Sequence, residues 1–366
     1  MPTLTEITSL ADIQHLAVSG FTEWKRFGDV SVDGNGDLLI FNYTAKAQYE
    51  GRWNFFERVS RGLIINRVTG EVAGRAFDKF FNWLEGGQKA GGHIVTVTEK
   101  VDGSLGILYR VGGGYRIATR GAFYSEQAEW ATRFLNTHYN LDGLPDELTL
   151  LFEIIYPENR VVVDYHGREA LILLAARNRH TGAYLPFFPD VYNLGQHYGF
   201  PLPKVHTFNN IAEIIARAGA IDVNEEGYVV EFSDDLRFKF KGDRYLELHR
   251  LIFGLSFKHT LEAVTNGTVD YIRSQIPDEF LGQFNGWVAQ IETTVAETKR
   301  QVQAAFEAAP KETRKDFALW VQANHKELAS YLFAMLDCRN IGPLIYRLAF
   351  QNRPDERTRR VSENVA

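Results

Sequence analysis

The sequence of 366 residues contains a single cysteine, Cys338. One cysteine excludes an internal disulfide and a cysteine-rich zinc site, which fits a reducing cytoplasm. Residues 1–10 carry acidic and polar side chains and lack the apolar core of a signal peptide. No apolar run approaches the roughly 18 residues that a membrane-spanning helix needs. We therefore expect a soluble cytoplasmic protein that has no membrane partner.

An excess of basic residues is also absent, since the formal net charge at pH 7 is −6. A nucleic acid, if one binds, must therefore bind at a local basic patch. The chain also lacks a glycine-rich loop that ends in Lys-Ser or Lys-Thr, which speaks against a P-loop enzyme. The three glycines at 112–114 are instead predicted to form a hairpin turn.

The apolar pattern changes character at about residue 245. Before this point short strand-like segments dominate, such as IVTVT at 94–98, with a helix predicted over 125–139. Beyond it, apolar residues such as Trp287, Ile291 and Val295 recur at helical spacing. The sequence predicts an α+β fold, in which residues 1–245 form a domain of antiparallel sheets and helices. An all-helical domain follows at 246–366.

The pentapeptide KVDGS at 100–104 is the most informative segment. Covalent nucleotidyltransferases present their nucleophile as a lysine two residues before Asp-Gly. The Lys100 amine is strongly nucleophilic once deprotonated, Asp102 can hold a metal ion or its waters, and Gly103 permits a tight turn. The alternative is a polar turn between two strands, because Asp-Gly is a common hairpin pair.

Two acidic residues occupy unusual strand positions. Glu153 lies inside the apolar segment LLFEIIY at 150–156, and Glu226 precedes a glycine in EEGYVV at 225–230. A carboxylate among apolar residues is costly to bury unless it is paired or bound to a metal ion. The alternative is that Glu153 is an ordinary strand residue that faces solvent. Glu226, taken by itself, does not distinguish a functional site from an ordinary acidic residue at the start of a strand.

Two lysines share one face of a predicted strand, FKFKG at 238–242. Residues two apart in a strand point to the same side, so Lys239 and Lys241 project together while Phe238 and Phe240 face the other side. Neighbouring like charges are unfavourable without an anion, which makes a phosphate group a natural partner. The alternative is an amphipathic strand whose polar face is merely solvated.

Taken in order, these segments resemble the covalent nucleotidyltransferase superfamily of polynucleotide ligases and mRNA capping enzymes. Upstream segments resemble more narrowly the T-even phage RNA ligase 1 family, over about residues 35–245. These segments are FNY at 41–43, SRGLII at 60–65 and RAFDKFFN at 75–82. The resemblance implies an ATP-grasp-like ligase domain. One departure is Arg120, which stands where the family pattern has lysine and keeps the charge with a different geometry.

The resemblance implies an ATP-dependent RNA ligase that acts in three steps. In the first step Lys100 would take adenylate from ATP, and in the second it would transfer the adenylate to an RNA 5′-phosphate. In the third step an RNA 3′-hydroxyl would attack this activated end. Lys239 and Lys241 would assist catalysis, and nearby cations would favour the neutral form of the Lys100 amine. The nucleotide would be bound by Tyr43, Arg61, Lys79, Glu153, Lys239 and Lys241. Mg²⁺ or Mn²⁺ would be held by Asp102, Glu153 and Glu226.

The expected partners are RNA ends, with repair of a cleaved tRNA anticodon loop as the family expectation. We expect a monomer in the cytoplasm, which is the host-cell cytoplasm if a phage encodes the chain. Two alternatives remain: a capping-type guanylyltransferase that uses GTP, and a non-catalytic RNA-binding module. The helical pattern after 245 speaks against the OB-fold that usually follows in capping enzymes. The basic tail at Arg357, Arg359 and Arg360 is predicted to be solvated.

Overall fold

The chain divides into two compact units, residues 1–252 and 253–366. The computed structural model describes residues 4–83, 85, 90–222, 224–252, 255–276 and 278–353. The basic tail at Arg357, Arg359 and Arg360 lies outside the described residues. No helix in the described ranges is both long and apolar enough to cross a membrane.

The strands all lie in the first unit, as far as the chain is described. In chain order they are β1 (Val30–Asn35), β2 (Leu38–Tyr43), β3 (Arg61–Asn66), β4 (Val72–Gly74), β5 (Phe81–Asn82), β6 (Ile94–Glu99), β7 (Ser104–Val111), β8 (Gly114–Ala118), β9 (Leu148–Ile155), β10 (Ala170–Asn178), β11 (Val205–His206), β12 (Gly227–Phe232) and β13 (Arg237–Lys241). The strand-like segment at 94–98 lies in β6, and the predicted strand that contains Lys239 and Lys241 is β13.

The helices of the first unit surround these strands. They are α1 (Leu10–Val18), α2 (Ala45–Glu50), α3 (Phe55–Val59), α4 (Glu126–His138), α5 (Tyr192–Tyr198), α6 (Ile211–Ala220) and α7 (Asp243–Ile252). The helix predicted over 125–139 is α4, which Ser125 caps by accepting a hydrogen bond from the backbone N–H of Ala128 at 3.1 Å.

The strands form three sheets. The first sheet has the order β1-β2-β3-β4, the second β11-β6-β12-β13-β5, and the third β10-β9-β7-β8. All strand pairs are antiparallel except β13 with β5, which run parallel over two residue pairs. This exception was not predicted, because a two-residue strand carries no periodicity. The antiparallel sheets themselves are confirmed.

The second unit is helical wherever it is described, which confirms the predicted helical C-terminal region. Its helices are α8 (Phe257–Asn266), α9 (Val269–Gln275), α10 (Asp278–Ala308), α11 (Arg314–Asn324), α12 (Ala329–Leu336) and α13 (Gly342–Gln351). The apolar stripe that includes Trp287 and Ile291 is buried on α10. The predicted boundary after residue 245 lies within α7.

One connection determines where the chemistry of the first unit is concentrated. Residues 100–103 lead from β6 in the second sheet to β7 in the third sheet. In the second sheet, β6 lies beside β12, and β12 lies beside β13. In the third sheet, β7 lies beside β9. The predicted residues Glu153, Glu226 and Lys241 are therefore brought to this short turn from neighbouring strands.

Candidate active site

Lys100 is the first residue after β6, and its surroundings come from the neighbouring strands. Its backbone N–H donates to the carbonyl oxygen of Gly227 at 2.7 Å. Its Nζ lies 2.5 Å from Oε2 of Glu226, while Nζ of Lys241 lies 3.4 Å from Oε1 of the same carboxylate. We call Lys100, Glu226 and Lys241 the Lys100 cluster. The side chain of Lys100 is 21% exposed, against 3% for Glu226 and 11% for Lys241, so Lys100 is the member most open to a substrate.

Gly227 makes this arrangement possible. Its φ is +143°, and a Cβ at this position would lie 1.9 Å from the carbonyl oxygen of Phe240. Any side chain here would therefore separate the start of β12 from the end of β13. Glycine keeps the two strands close, which brings Glu226 to Lys241.

The structure adds a carboxylate to the cations expected near Lys100. A carboxylate, that of Glu226, lies between Lys100 and Lys241, and it can accept a hydrogen bond from each. The charge balance of the cluster therefore depends on Glu226, which is buried with a positive group at each oxygen. A base is thus already in contact with the Lys100 amine.

Glu153 reaches the same turn from β9. Its Oε1 accepts a hydrogen bond from the backbone N–H of Gly103 at 3.0 Å. Burial raises the pKa of Glu153 to about 7, and the nearby carboxylates of Glu226 and Asp102 add to this, whereas Lys100 and the Gly103 N–H oppose it. A carboxyl group whose pKa is raised in this way can change its protonation state in the physiological pH range. It can also be ionised when a cation binds nearby.

Asp102 is surrounded by hydrogen-bond donors of the protein. Its Oδ2 accepts hydrogen bonds from the backbone N–H groups of Val162 and Val163 at 2.9 and 2.8 Å. Its Oδ1 accepts from the hydroxyl of Tyr245 at 2.9 Å. Both oxygens of this buried carboxylate are therefore engaged within the protein. These donors hold Asp102 in place, and its role toward a metal ion or its waters stays a prediction.

No group of three or more His, Cys, Asp or Glu side chains in the described residues is arranged to hold a metal ion. Two of the three predicted ligands nevertheless fit a divalent cation. Burial, together with the Glu226 carboxylate, raises the pKa of Glu153 at the Lys100 turn, and a hard cation with oxygen ligands and waters would favour the ionised form of Glu153. Asp102 accepts three internal hydrogen bonds, so an ion or its waters would share this carboxylate with those donors.

Lys239 and Arg61 meet across one aromatic ring. Nζ of Lys239 lies 5.2 Å from the centroid of the Phe80 ring, and Cζ of Arg61 lies 5.7 Å from it. Nη1 of Arg61 is buried without a hydrogen-bond partner among the described residues. A buried guanidinium nitrogen in that state is expected to bind an acceptor from a ligand or water.

Lys79 lies in a cage of aromatic rings. Its Nζ is 5.4 Å from the ring centroid of Tyr43, 5.0 Å from that of Trp53 and 5.3 Å from that of Phe81. Arg120 approaches the same Tyr43, with Cζ 5.1 Å from the ring and Nη1 donating to the hydroxyl at 3.1 Å. We call these five residues the Lys79 cluster. It gathers two cations against neutral rings, which attract a cation without cancelling its charge.

Asp78 fixes the segment that carries Lys79. Arg177 donates to both carboxylate oxygens of Asp78 at 2.9 Å each and also to the carbonyl of Ala76. The Tyr184 ring lies between two guanidinium groups, 4.4 Å from Cζ of Arg177 and 3.8 Å from that of Arg237. This bidentate pair and the stacked guanidinium groups hold the segment in one conformation.

The structure thus gathers most of the predicted residues into two groups. The Lys100 cluster, with Glu153 beside it, forms one group, and the Lys79 cluster forms the other. Trp53, Tyr184 and Tyr245 were not identified from the sequence, because aromatic residues at such positions look like ordinary core. The only available signal was their closeness in the chain to predicted residues, such as Tyr245 four positions after Lys241.

In a comparison with protein families, residues 59–245 match a family described as RNA ligase. The chain is 29% identical over 247 residues to a putative bifunctional polynucleotide kinase/RNA ligase of Autographa californica nuclear polyhedrosis virus, covering 58% of this chain and 34% of that protein. It is 30% identical over 221 residues to a putative RNA ligase of Thermovibrio ammonificans, covering 56% of each. The chain thus spans about a third of the viral relative and about half of the bacterial one.

A longer alignment is found with an RNA ligase of Rhodothermus phage RM378, at 23% identity over 384 residues, covering 82% of this chain and 85% of that protein. Among solved structures, a mutant Naegleria gruberi RNA ligase with ATP and Mn aligns with 43% of this chain and 52% of that chain, at 22% identity and a TM-score of 0.35. A putative ATP-dependent DNA ligase from Aquifex aeolicus aligns with 87% of this chain and 88% of that chain, at 14% identity and a TM-score of 0.44.

Proposed function

Because the chain belongs to the RNA ligase family, we propose that it joins an RNA 5′-phosphate to a 3′-hydroxyl through an adenylate carried on Lys100. The observation that carries this proposal is the Lys100 cluster. A partly exposed amine lies 2.5 Å from a buried carboxylate whose other oxygen contacts a second lysine. This geometry supports a nucleophilic role for Lys100, with Glu226 as its base and Lys241 as an electrostatic stabiliser.

In the first step the Lys100 amine attacks the α-phosphorus of ATP. An N–P bond forms, the bond from the α-phosphorus to the bridging oxygen breaks, and pyrophosphate leaves. The amine must lose a proton to attack, and Glu226 is the base in contact with it. Lys241, on the other oxygen of Glu226, is placed to stabilise negative charge that develops on the phosphoryl oxygens.

The second step transfers the adenylate to RNA. An oxygen of the RNA 5′-phosphate attacks the adenylate phosphorus, the N–P bond breaks, and Lys100 recovers its amine. In the third step an RNA 3′-hydroxyl attacks the activated 5′-phosphate, the phosphodiester bond forms and AMP leaves. Lys100 is the nucleophile in the first step alone, so its loss should spare the third.

A divalent cation such as Mg²⁺ or Mn²⁺ would be held by Glu153 and Glu226. When bound, it would supply positive charge to the phosphoryl oxygens. Glu153 fits this role because burial and its carboxylate neighbours disfavour its ionisation until a cation is present. Asp102 is left out of the proposed ligand set.

The nucleotide phosphates are proposed to bind between the two clusters, at Arg61, Lys79 and Lys239. In support, the Phe80 ring contacts both Arg61 and Lys239, and Arg61 has a buried Nη1 without a partner among the described residues. Tyr43 would complete the nucleotide site. Bidentate guanidinium groups and ammonium groups together suit a polyphosphate.

We propose that the substrate is a broken RNA, such as a tRNA cleaved in its anticodon loop. The viral relative is named as a joint polynucleotide kinase and RNA ligase. A kinase of that kind would supply the 5′-phosphate that the proposed second step requires. The net charge of −6 permits such a substrate, because sealing needs contacts at the RNA ends only.

The proposal is tested by incubating the full chain with α-labelled ATP and Mg²⁺, then adding 5′-phosphorylated RNA. We expect a labelled protein adduct and then circular or joined RNA. Lys100→Ala should form no adduct, whereas the same change at the exposed Lys25 should leave adduct formation intact. An adduct of full yield in Lys100→Ala, or labelling by GTP instead of ATP, would refute the assignment.

A second arm uses RNA that already carries a 5′-adenylate. Lys100→Ala should still seal this substrate, because the third step does not use the amine as nucleophile. If a Lys100→Ala variant with the thermal unfolding of the unaltered chain fails to seal this RNA, Lys100 is needed in the third step as well, which would contradict the proposal.

A further inference from the structure

The turn that carries Lys100 is held from one side by a dense set of hydrogen bonds. The Asp102 backbone N–H donates to the hydroxyl of Tyr165 at 2.8 Å. The Ser104 hydroxyl donates to Oδ1 of Asn159 at 3.0 Å, and Nδ2 of Asn159 donates to the carbonyl of Ile154 at 2.8 Å. The segment that follows β9 thus fixes the chain on both sides of Gly103.

The Asp102 carboxylate is the centre of this set. It is buried, with 4% exposure, and accepts three hydrogen bonds, from the backbone of Val162 and Val163 and from the Tyr245 hydroxyl. A buried carboxylate is tolerated when its lone pairs are satisfied in this way. Charge-assisted hydrogen bonds are also the stronger kind, so the turn gains a rigid anchor.

Tyr245 connects this anchor to the Lys100 cluster. It lies in the first turn of α7, four residues after Lys241, and is 2% exposed. Its hydroxyl donates to Asp102, while its ring lies 5.9 Å from Nζ of Lys241. One side chain therefore spans from the Lys100 turn to the second lysine of the cluster.

We propose that Tyr245 and Asp102 form a brace that positions the Lys100 amine against Lys241 for attack on the nucleotide. Both are positioning residues, since they act through Lys100 and Lys241. The inference rests on the proposed adenylate transfer. Small displacements of a nucleophile reduce the rate steeply, which makes the brace measurable.

The first test is Tyr245→Phe, which removes the hydroxyl and keeps the ring over Lys241. We expect formation of the enzyme adenylate at saturating ATP to slow by about ten-fold, as for loss of a hydrogen bond to a charged group. The KM for ATP and the Mg²⁺ concentration that gives half the maximal rate should stay unchanged. Tyr192→Phe removes the same atom at a site that is 41% exposed and should keep the full rate.

Two outcomes of this test would overturn the brace. One is a Tyr245→Phe variant with the full adenylation rate. The other is a variant in which only the Mg²⁺ requirement changes, which would place Asp102 with the metal ion. Assays at a temperature well below thermal unfolding, recorded for each variant, separate slow chemistry from partial unfolding.

The second test is a double-mutant cycle with Asp102→Asn. Because Tyr245 acts through Asp102 in this account, adding Tyr245→Phe to Asp102→Asn should slow adenylation by no more than about two-fold further. A loss equal to the product of the two single losses would show independent roles and contradict the brace.

A third measurement needs neither ATP nor metal. Acetic anhydride modifies exposed amines, and mass spectrometry gives the rate for each lysine. In Tyr245→Phe the Lys100 amine should react at least about three-fold faster, because the turn opens more often, while exposed Lys25 is unchanged. An unchanged Lys100 rate counts against the brace. If the unaltered chain forms no adenylate, the proposed function fails, and this measurement still decides the brace.

Discussion

The Lys100 cluster and the Lys79 cluster both hold buried or half-buried cations, but their partners differ. In the first, Glu226 contacts the ammonium groups of Lys100 and Lys241. In the second, Lys79 and Arg120 lie against the rings of Tyr43, Trp53 and Phe81. A carboxylate neutralises a cation and can take its proton, whereas a ring does neither.

This difference assigns different tasks to the two clusters. A cluster that contains a base suits the step in which an amine must lose a proton. The Lys79 cluster brings two cations together on aromatic rings, which suits an anion such as a polyphosphate. The comparison therefore predicts that charge changes in the Lys100 cluster alter folding stability, and that those in the Lys79 cluster alter nucleotide binding.

Glu226→Gln should have the largest effect on stability. It leaves the ammonium groups of Lys100 and Lys241 close together without their shared carboxylate, which is expected to cost about 3 kcal/mol or more. Urea unfolding measures this difference, and adenylate formation should be lost as well. Glu225→Gln, an exposed neighbour, is the matched control and should change the free energy of unfolding little. A Glu226→Gln variant of unchanged stability would break the comparison.

Glu153→Gln should change stability in the opposite direction and only at higher pH. The pKa of Glu153 is raised from 4.5 to about 7, so between these values the folded protein binds more protons than the unfolded chain. Its contribution to the free energy of unfolding therefore falls as pH rises, by about 3 kcal/mol at most. The glutamine variant avoids this loss and keeps an acceptor for the Gly103 N–H.

Thermal unfolding at pH 5 and pH 8 checks this expectation. The gain in unfolding temperature of Glu153→Gln over the unaltered chain should be larger at pH 8, while adenylate formation is lost. Glu158→Gln, at an exposed position, should show no such pH dependence. A Glu153→Gln variant that is less stable at pH 8 than at pH 5, relative to the unaltered chain, would contradict the raised pKa.

Lys79→Met should have the smallest effect on stability and a clear effect on binding. Methionine fills a similar volume and packs well against aromatic rings, so the free energy of unfolding should change by less than about 1.5 kcal/mol. Loss of one charge-assisted contact to phosphate should weaken ATP binding by about ten-fold or more. Isothermal titration calorimetry measures the affinity, with Lys25→Met as control. If Lys79→Met strongly destabilised the protein but bound ATP normally, the Lys79 cluster would serve stability and not nucleotide binding.

Much of the Lys100 cluster could be predicted from the sequence, because its members lie at the ends of strongly patterned strands. The alternation FKFKG placed Lys241 on one face of β13 and the phenyl rings on the other, and Phe238 and Phe240 are buried as expected. The Glu-Gly pair at 226–227 likewise marked the start of β12. For these two strands, the local apolar pattern was sufficient to predict which residues face the core.

The partners of Asp102 and Lys79 could not be predicted in this way. The donors to Asp102 lie about 60 and 143 positions further along the chain, and no local pattern records such contacts. The cage around Lys79 combines rings from β2, β5 and the stretch before α3. These are tertiary contacts between segments that have no regular spacing, and the short β5 adds no periodicity of its own.

The central claim is that Lys100 carries the adenylate, and peptide mapping tests it most directly. The unaltered chain is incubated with ATP and Mg²⁺, digested under conditions that preserve phosphoramidates, and analysed by tandem mass spectrometry. We expect one adenylated peptide, with AMP on Nζ of Lys100, and none after incubation with GTP. AMP on Lys79, Lys239 or Lys241, or a GMP adduct in its place, would contradict it.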